Sequence, residues 1–202
     1  MGAITREENT VKVAADFIGV GSNTARLHRL SLTAPVAASN TAVHAAINSN
    51  AVITTAITQP DFARNITIVG AGSGHNAAGT VTINGTDVRG VAISETLTLN
   101  GNTAVVGAKA FKTVTSIDMT AVTGNDANNT VSVGVGNKFG LTRKMDANNV
   151  LLEAVDGVQE TPSAVAFSTS AICSNTVTPL TAANASHNYI ITYVTNEQFP
   201  TS

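Results

Sequence analysis

Apolar and polar residues alternate along most of this chain, with a period of two rather than 3.6. Asn65-Ile-Thr-Ile-Val69, Thr80-Val-Thr-Ile83 and Val91-Ala-Ile-Ser-Glu-Thr-Leu-Thr-Leu99 are the clearest runs. A period of two sends Ile66, Ile68, Val81, Ile83, Val91, Ile93, Leu97 and Leu99 to one side of a sheet. Between the runs stand Gly70 to Gly79, Asn84-Gly85, Arg89-Gly90 and Asn100-Gly101, residues that supply the positive φ of hairpin turns. The stretch from Arg64 to Met119 therefore predicts a β-meander.

The same pattern continues on both sides. Leu27–Leu32, Ala42–Ile47 and Ala51–Ile57 predict strands, the last bounded by Asn-Ser-Asn and by Gln59-Pro60-Asp61. Ala108–Lys112 predicts a helical turn leading into a strand over Thr113–Met119. Val131, Val133 and Val135 alternate with small residues, and Gly136–Gly140 is expected to close that strand. Val150–Val155, Asp156-Gly157 and Val158–Glu160 form the strongest local hairpin, since Asp-Gly suits a type I′ turn. Short strands follow at Ala164–Phe167 and Thr176–Leu180. The last, Tyr189–Thr195, is apolar on both faces and is expected to be central or covered.

Residues 1–24 read differently. They carry Arg6, Glu7, Glu8, Lys12 and Asp16 and end in Gly19-Val-Gly-Ser-Asn-Thr24. Either an extended arm or a short helix fits them. As an arm, Ile4, Val11, Val13, Phe17 and Ile18 are the apolar groups available to bind a partner. The predicted fold is all-β, an antiparallel β-sandwich or barrel-like meander with an extended N-terminal arm. Three regions are expected: the arm at 1–24, a main β-domain at 25–140, and a C-terminal β-hairpin unit at 141–202 packed on or extending it.

Composition sharpens this picture in three ways. Only 12% of the 202 residues are charged, about half the usual share. The 29 Thr and 20 Asn mean that the surface is solvated by hydroxyls and amides, Thr on pleated surface and Asn in turns. A formal net charge of −2 with scattered Lys and Arg argues against a nucleic-acid partner, because phosphate neutralisation needs clustered cations. Cys173 is the single cysteine, so it can form neither an intrachain disulfide nor a thiolate metal site and reads as a small buried hydrophobe. No signal peptide, myristoylation pattern or long apolar run is visible, and the expectation is a soluble protein made in a cytoplasm, without a membrane partner.

Catalytic chemistry finds no foothold in the pattern. The loop Gly70–Gly79 is followed by a strand and lacks the Lys-Ser or Lys-Thr of a phosphate loop, so it reads as a flexible hairpin loop. His28, His44, His75 and His187 are at least sixteen residues apart, without the close pairs of a zinc site. Asp126 with Asn125, Asn128 and Asn129 departs from the EF-hand spacing. The four Asn-x-Ser/Thr matches at Asn65, Asn84, Asn128 and Asn184 are what such a composition gives by chance. Glu95 alone breaks the apolar phase. A bulge or solvated edge, an arginine partner such as Arg64 or Arg89, or a covering chain would each explain it. We expect no enzyme activity, cofactor or bound metal.

Several phrases carry a resemblance. Arg64-Asn-Ile-Thr-Ile, Ala78–Thr86, Ser94–Gly101, Val105–Ile117 and Val133–Leu141 together resemble a widespread group of tailed-bacteriophage virion proteins. The resemblance spans about half the chain, mainly residues 42 to 141, and consists of strand-and-turn phrases, so it transfers no site residues. It implies an accessory structural component, foremost a capsid decoration or cement protein on the outer face of the shell. The implied partners are the major capsid protein and further copies of the chain, most simply a homotrimer. The implied location is the capsid surface of a virion, after synthesis in the bacterial host cytoplasm. A tail- or fibre-associated structural or receptor- or carbohydrate-binding module is the alternative. It calls for exposed aromatics, and this chain has no Trp, six Phe and two Tyr, the tyrosines in a strand that reads as buried. A glycosidase would need paired carboxylates, which no motif suggests.

Overall fold

The computed structural model describes residues 11–14, 24–72, 77–124, 126 and 128–195. Their alternating pattern folds into strands that pair antiparallel throughout. In chain order these are β1 (Val11–Ala14), β2 (Thr24–Thr33), β3 (Ser39–Ile47), β4 (Val52–Ile53), β5 (Arg64–Gly72), β6 (Ala78–Thr86), β7 (Ala92–Thr98) and β8 (Val105–Phe111). They continue as β9 (Thr113–Asp118), β10 (Val122–Thr123), β11 (Asn129–Gly140), β12 (Val150–Val155), β13 (Val158–Glu160), β14 (Ala164–Ala166), β15 (Thr176–Thr178) and β16 (Asn188–Thr195). Among the described residues a single 3₁₀ turn, Ile172–Ser174, interrupts them.

Three sheets result. Sheet I has the order β14-β15-β11-β5-β8, with β3 also on β11. Sheet II has the order β10-β6-β9-β4, with β7 also on β6. Sheet III, β1-β2-β16-β12-β13, draws its strands from both ends of the chain. Sheets I and II face each other across one core. Ile66, Ile68, Val131, Val133 and Val135 come from sheet I, while Val81, Ile83, Leu97, Val114 and Ile117 come from sheet II. The period of two thus fills one core from two sheets rather than one side of a single sheet. Between β3 and β11 the chain changes sheet repeatedly, so the Gly70–Gly79 segment joins β5 of sheet I to β6 of sheet II instead of closing a hairpin.

Turn chemistry explains where hairpins do close. Asp156 (φ 50) and Gly157 (φ 83) both occupy the left-handed region, the type I′ geometry expected between β12 and β13. Between β6 and β7 the turn lies at Asp87–Val91, where Asp87 Oδ1 accepts the N–H groups of Arg89 (2.8 Å) and Val91 (3.0 Å). Asn84-Gly85, also expected as a turn, lies inside β6. A Cβ on Gly85 would come within 2.0 Å of the Thr113 carbonyl oxygen, where the β6–β9 register shifts. The glycine there serves a bulge and a close backbone approach.

Four further expectations are corrected. Ala108–Lys112 is not helical, because β8 runs through Phe111 on the edge of β5. Gly136–Gly140 does not close β11; a register shift lets Val135 pair with Ile66 and Phe139 with Arg64, and the strand continues. Of Ala51–Ile57 only Val52–Ile53 pairs, against β9. Val91 is 58% exposed instead of joining the core, since it ends the tight turn.

β16 is central in sheet III, between β2 and β12. Its inner side chains Tyr189, Ile191 and Tyr193 are buried against Leu30, Leu32, Val155 and Phe139, or against Leu141, Met145 and Val177. These small clusters fasten sheet III to the end of sheet I. The exposure difference between Ile83 and Val91 gives a direct check. Ile83→Ala should lower the unfolding free energy by about 2–5 kcal/mol, and Val91→Ala by less than about 0.5 kcal/mol, both read from chemical denaturation.

Candidate functional site

The residues marked out for partner binding lie in the N-terminal region. Val11 and Val13 fall on β1, one of the two edge strands of sheet III, in register with Leu27 and Ala25 of β2. Ile4, Phe17 and Ile18 lie outside the described residues. Among the described residues β1 joins the fold through one four-residue pairing at a sheet edge.

The polar groups that sequence reasoning weighed for chemistry are mostly engaged in holding the fold. Arg64 is fully buried. Its Nε (2.8 Å) and Nη2 donate to the Gly136 carbonyl, and Nη1 donates to the Val36 carbonyl (2.9 Å) and to Asp61 Oδ1 (3.1 Å). The guanidinium also lies over the Phe139 ring, 4.8 Å from its centroid. Burial pulls the Arg64 pKa down, opposed by its hydrogen bond and ion pair with Asp61. The other Asp61 oxygen accepts the Val36 N–H at 2.8 Å.

Glu95 meets neither Arg64 nor Arg89. It is half-buried, and its carboxylate accepts the main-chain N–H of Ala108 (2.7 Å) and of Lys109 (3.3 Å) on β8. Lys109 Nζ returns a hydrogen bond to the Ser94 carbonyl at 2.6 Å. A carboxylate in phase with apolar residues is tolerated here because edge-strand amides supply its hydrogen bonds.

The histidines are dispersed. His28 is buried, with Nε2 2.9 Å from Thr195 Oγ1 and its ring 5.3 Å from that of Tyr193. His44 Nδ1 lies 3.2 Å from the neighbouring Ala45 carbonyl oxygen. His187 Nδ1 sits 2.6 Å from Asp156 Oδ2, and His75 lies outside the described residues. The Asn188 N–H and His187 hold the Asp156 carboxyl below the usual range. Asp126 Oδ1 accepts the N–H groups of Asn128 (2.7 Å) and Asn129 (2.8 Å), which likewise lower its pKa. Among the described residues no group of three or more His, Cys, Asp or Glu is placed to hold a metal, and no helix is long and apolar enough to cross a membrane. Cys173 is buried and free.

Two groups went unremarked in the sequence. Asn175 is fully buried. Its Oδ1 accepts the Met145 and Ser168 N–H groups, and its Nδ2 donates to the carbonyls of Ser168 and Ala171. Glu153 stands opposite Glu160 across the β12–β13 ladder and is fully buried, with Oε2 unpartnered. Burial pushes its pKa up, and the charge of Glu160 adds to the effect against one N–H from Leu180. Only the pairing register brings the two glutamates together.

Compared with known proteins, the chain matches no family model, and no curated protein or solved structure is a significant match.

The Glu153 environment fixes a pH dependence. The folded protein binds this proton more tightly than the unfolded chain, so ionised Glu153 destabilises the fold above its raised pKa. That penalty disappears below the ordinary glutamate range. Glu153→Gln should therefore stabilise the protein at pH 7 by on the order of 1 kcal/mol. The gain should vanish near about pH 4, as read from thermal unfolding at the two values.

Proposed function

We propose that the chain is a non-enzymatic structural component of a tailed-bacteriophage virion, and within the virion a capsid decoration protein. In this reading it binds the outer face of the major capsid shell as a homo-oligomer, most simply a trimer. The strand-and-turn phrases between residues 42 and 141 support the virion assignment by resemblance. The observation that carries the assembly reading is the position of β1, an outermost strand held through four residues of β2.

An edge of that kind is ready to pair with another chain. Apolar side chains of the N-terminal region, once buried against a partner, contribute about 1.5–3 kcal/mol each before ordering costs. A surface with few charges lowers the desolvation cost of such docking. The sugar-binding alternative draws nothing from the tyrosines, since Tyr189 and Tyr193 are both buried.

Deletion of residues 1–24 tests the reading. The truncated protein should keep a β-sheet circular dichroism spectrum and cooperative unfolding, yet no longer add to capsids lacking it. Equal binding by truncated and intact protein would remove the arm from the account. Intact protein located only on tails, by labelling of particles, would overturn the capsid assignment.

A further inference from the structure

Between β15 of sheet I and β16 of sheet III the chain crosses the joint of the two sheets. Three side chains of sheet III hold the crossing segment down. Glu153 Oε1 accepts the Leu180 N–H at 3.3 Å, and Glu160 accepts the Thr181 N–H (3.1 Å) and hydroxyl (2.7 Å). The Tyr189 hydroxyl donates to the Thr181 carbonyl at 3.0 Å. A fourth contact joins the Ala183 N–H to Asn137 Oδ1 of β11 at 3.2 Å. The segment is anchored at both ends. The Ser163 hydroxyl donates to the Thr178 and Pro179 carbonyls, and the Ala185 N–H donates to the Pro35 carbonyl at 2.8 Å. Residues 180–184 are thus a strap with fixed ends, closed in the middle by side chains of which two are carboxylates.

The closed strap seals in an electrostatic conflict. Glu153 is fully buried, and its Oε2 is shut off from solvent with no hydrogen-bond partner. Glu160 stands directly opposite in the ladder, a position where like charges repel. The surrounding elements leave the conflict standing. β2 presents Leu30 and Leu32 on this side, β16 contributes the phenol of Tyr189, and residues 179–186 carry no ionisable side chain. Lys138 of β11 reaches away to the Gly107 carbonyl. Arg64 and Asp156 act on Tyr189 rather than on Glu153, and His187 is bonded to Asp156. Burial, with the charge of Glu160, pushes the Glu153 pKa up against the single N–H of Leu180. A neutral Glu153 suits this site. An ionised one needs water, which reaches it when the strap lifts.

We propose that residues 180–184 are a proton-controlled strap, closed on sheet III while Glu153 carries a proton and lifting when Glu153 ionises. Opening bares the paired glutamates and the Tyr189 hydroxyl while the strands stay paired, so the surface at this joint changes with pH. The direction follows from proton affinity. With the strap open Glu153 titrates in the ordinary glutamate range, and with it closed the proton is held more tightly. The open population therefore rises by up to about tenfold per pH unit above about pH 4.3, until Glu153 ionises in the closed form as well. Asp156 is held below the usual range by the Asn188 N–H and His187, so it is already ionised there. The strap draws nothing from the assembly reading.

Native-state hydrogen exchange in the full chain, corrected for the intrinsic rate at each pH, tests the proposal at the amides of Leu180, Thr181 and Ala183. These should exchange faster than Ile191 of β16 and through an opening that low concentrations of urea do not promote, the mark of a local event. Between about pH 4 and pH 7 their protection should fall together by about tenfold, in step with the carbon-13 shift of the Glu153 carboxyl. Glu153→Gln should hold them at their acidic level across the range. The proposal is overturned if their protection does not change with pH, or if it falls as steeply in Glu153→Gln. It is equally overturned if the three amides share the protection and urea dependence of Ile191, since exchange then needs global unfolding.

Discussion

The structure depends above all on how one buried cation, Arg64, is satisfied. Its neighbours come from three separate places: Gly136 and the Phe139 ring on β11, the Val36 segment between β2 and β3, and Asp61. Phe139 in turn packs with Leu32, Val155 and Tyr189 of sheet III. The guanidinium therefore sits where the sandwich meets the sheet built from both chain ends. A buried ion pair adds little net stability compared with apolar packing, but removing one partner leaves uncompensated charge and orphaned carbonyls. The arrangement thus sets which segments meet, while the apolar core supplies the driving force.

Around that joint, low charge is a structural strategy as much as a surface property. Threonines bond across strands, with Thr82 Oγ1 2.8 Å from Thr96 Oγ1 and Thr86 Oγ1 2.6 Å from Thr113 Oγ1. Such pairs stabilise a pleated face without long charged side chains. Where a charge does enter a strand, backbone amides meet it: Glu95 holds two N–H groups of the β8 edge. Those donors are thereby withdrawn from pairing with a foreign strand, a protection that edge strands need. The proposed arm, by contrast, would work through an edge left to receive a strand.

Much of the fold is readable from the alternation of residues. β5, β6, β9, β12, β13 and β16 follow directly from it, as does the central place of Tyr189–Thr195. Pairing is another matter. Ile66 and Ile83 carry the same signal yet belong to facing sheets, because a period of two specifies a face and not a partner. Ala108-Lys-Ala-Phe has helix-favouring residues, but β5 and the Glu95 carboxylate hold it extended. Arg64 stands out in the sequence only as a partner for Glu95, and its actual partners Gly136 and Val36 lie far away in sequence. Asn175 gives no signal, since a loop-binding asparagine carries no periodicity. The N-terminal site residues were legible only as apolar groups without an evident core position, and of these Val11 and Val13 fall on the described edge strand.

Native-state hydrogen exchange in the wild type and in Arg64→Met tests the role of the buried arginine most directly. If Arg64 couples the two parts, the amides of Ile66 and Val133 in sheet I and of Ile191 in sheet III share one opening free energy in the wild type. In the variant, Ile191 should then exchange through a separate opening of lower free energy, while Ile66 and Val133 remain protected together. Loss of protection by the same amount at all three positions, or distinct openings already in the wild type, would contradict the account.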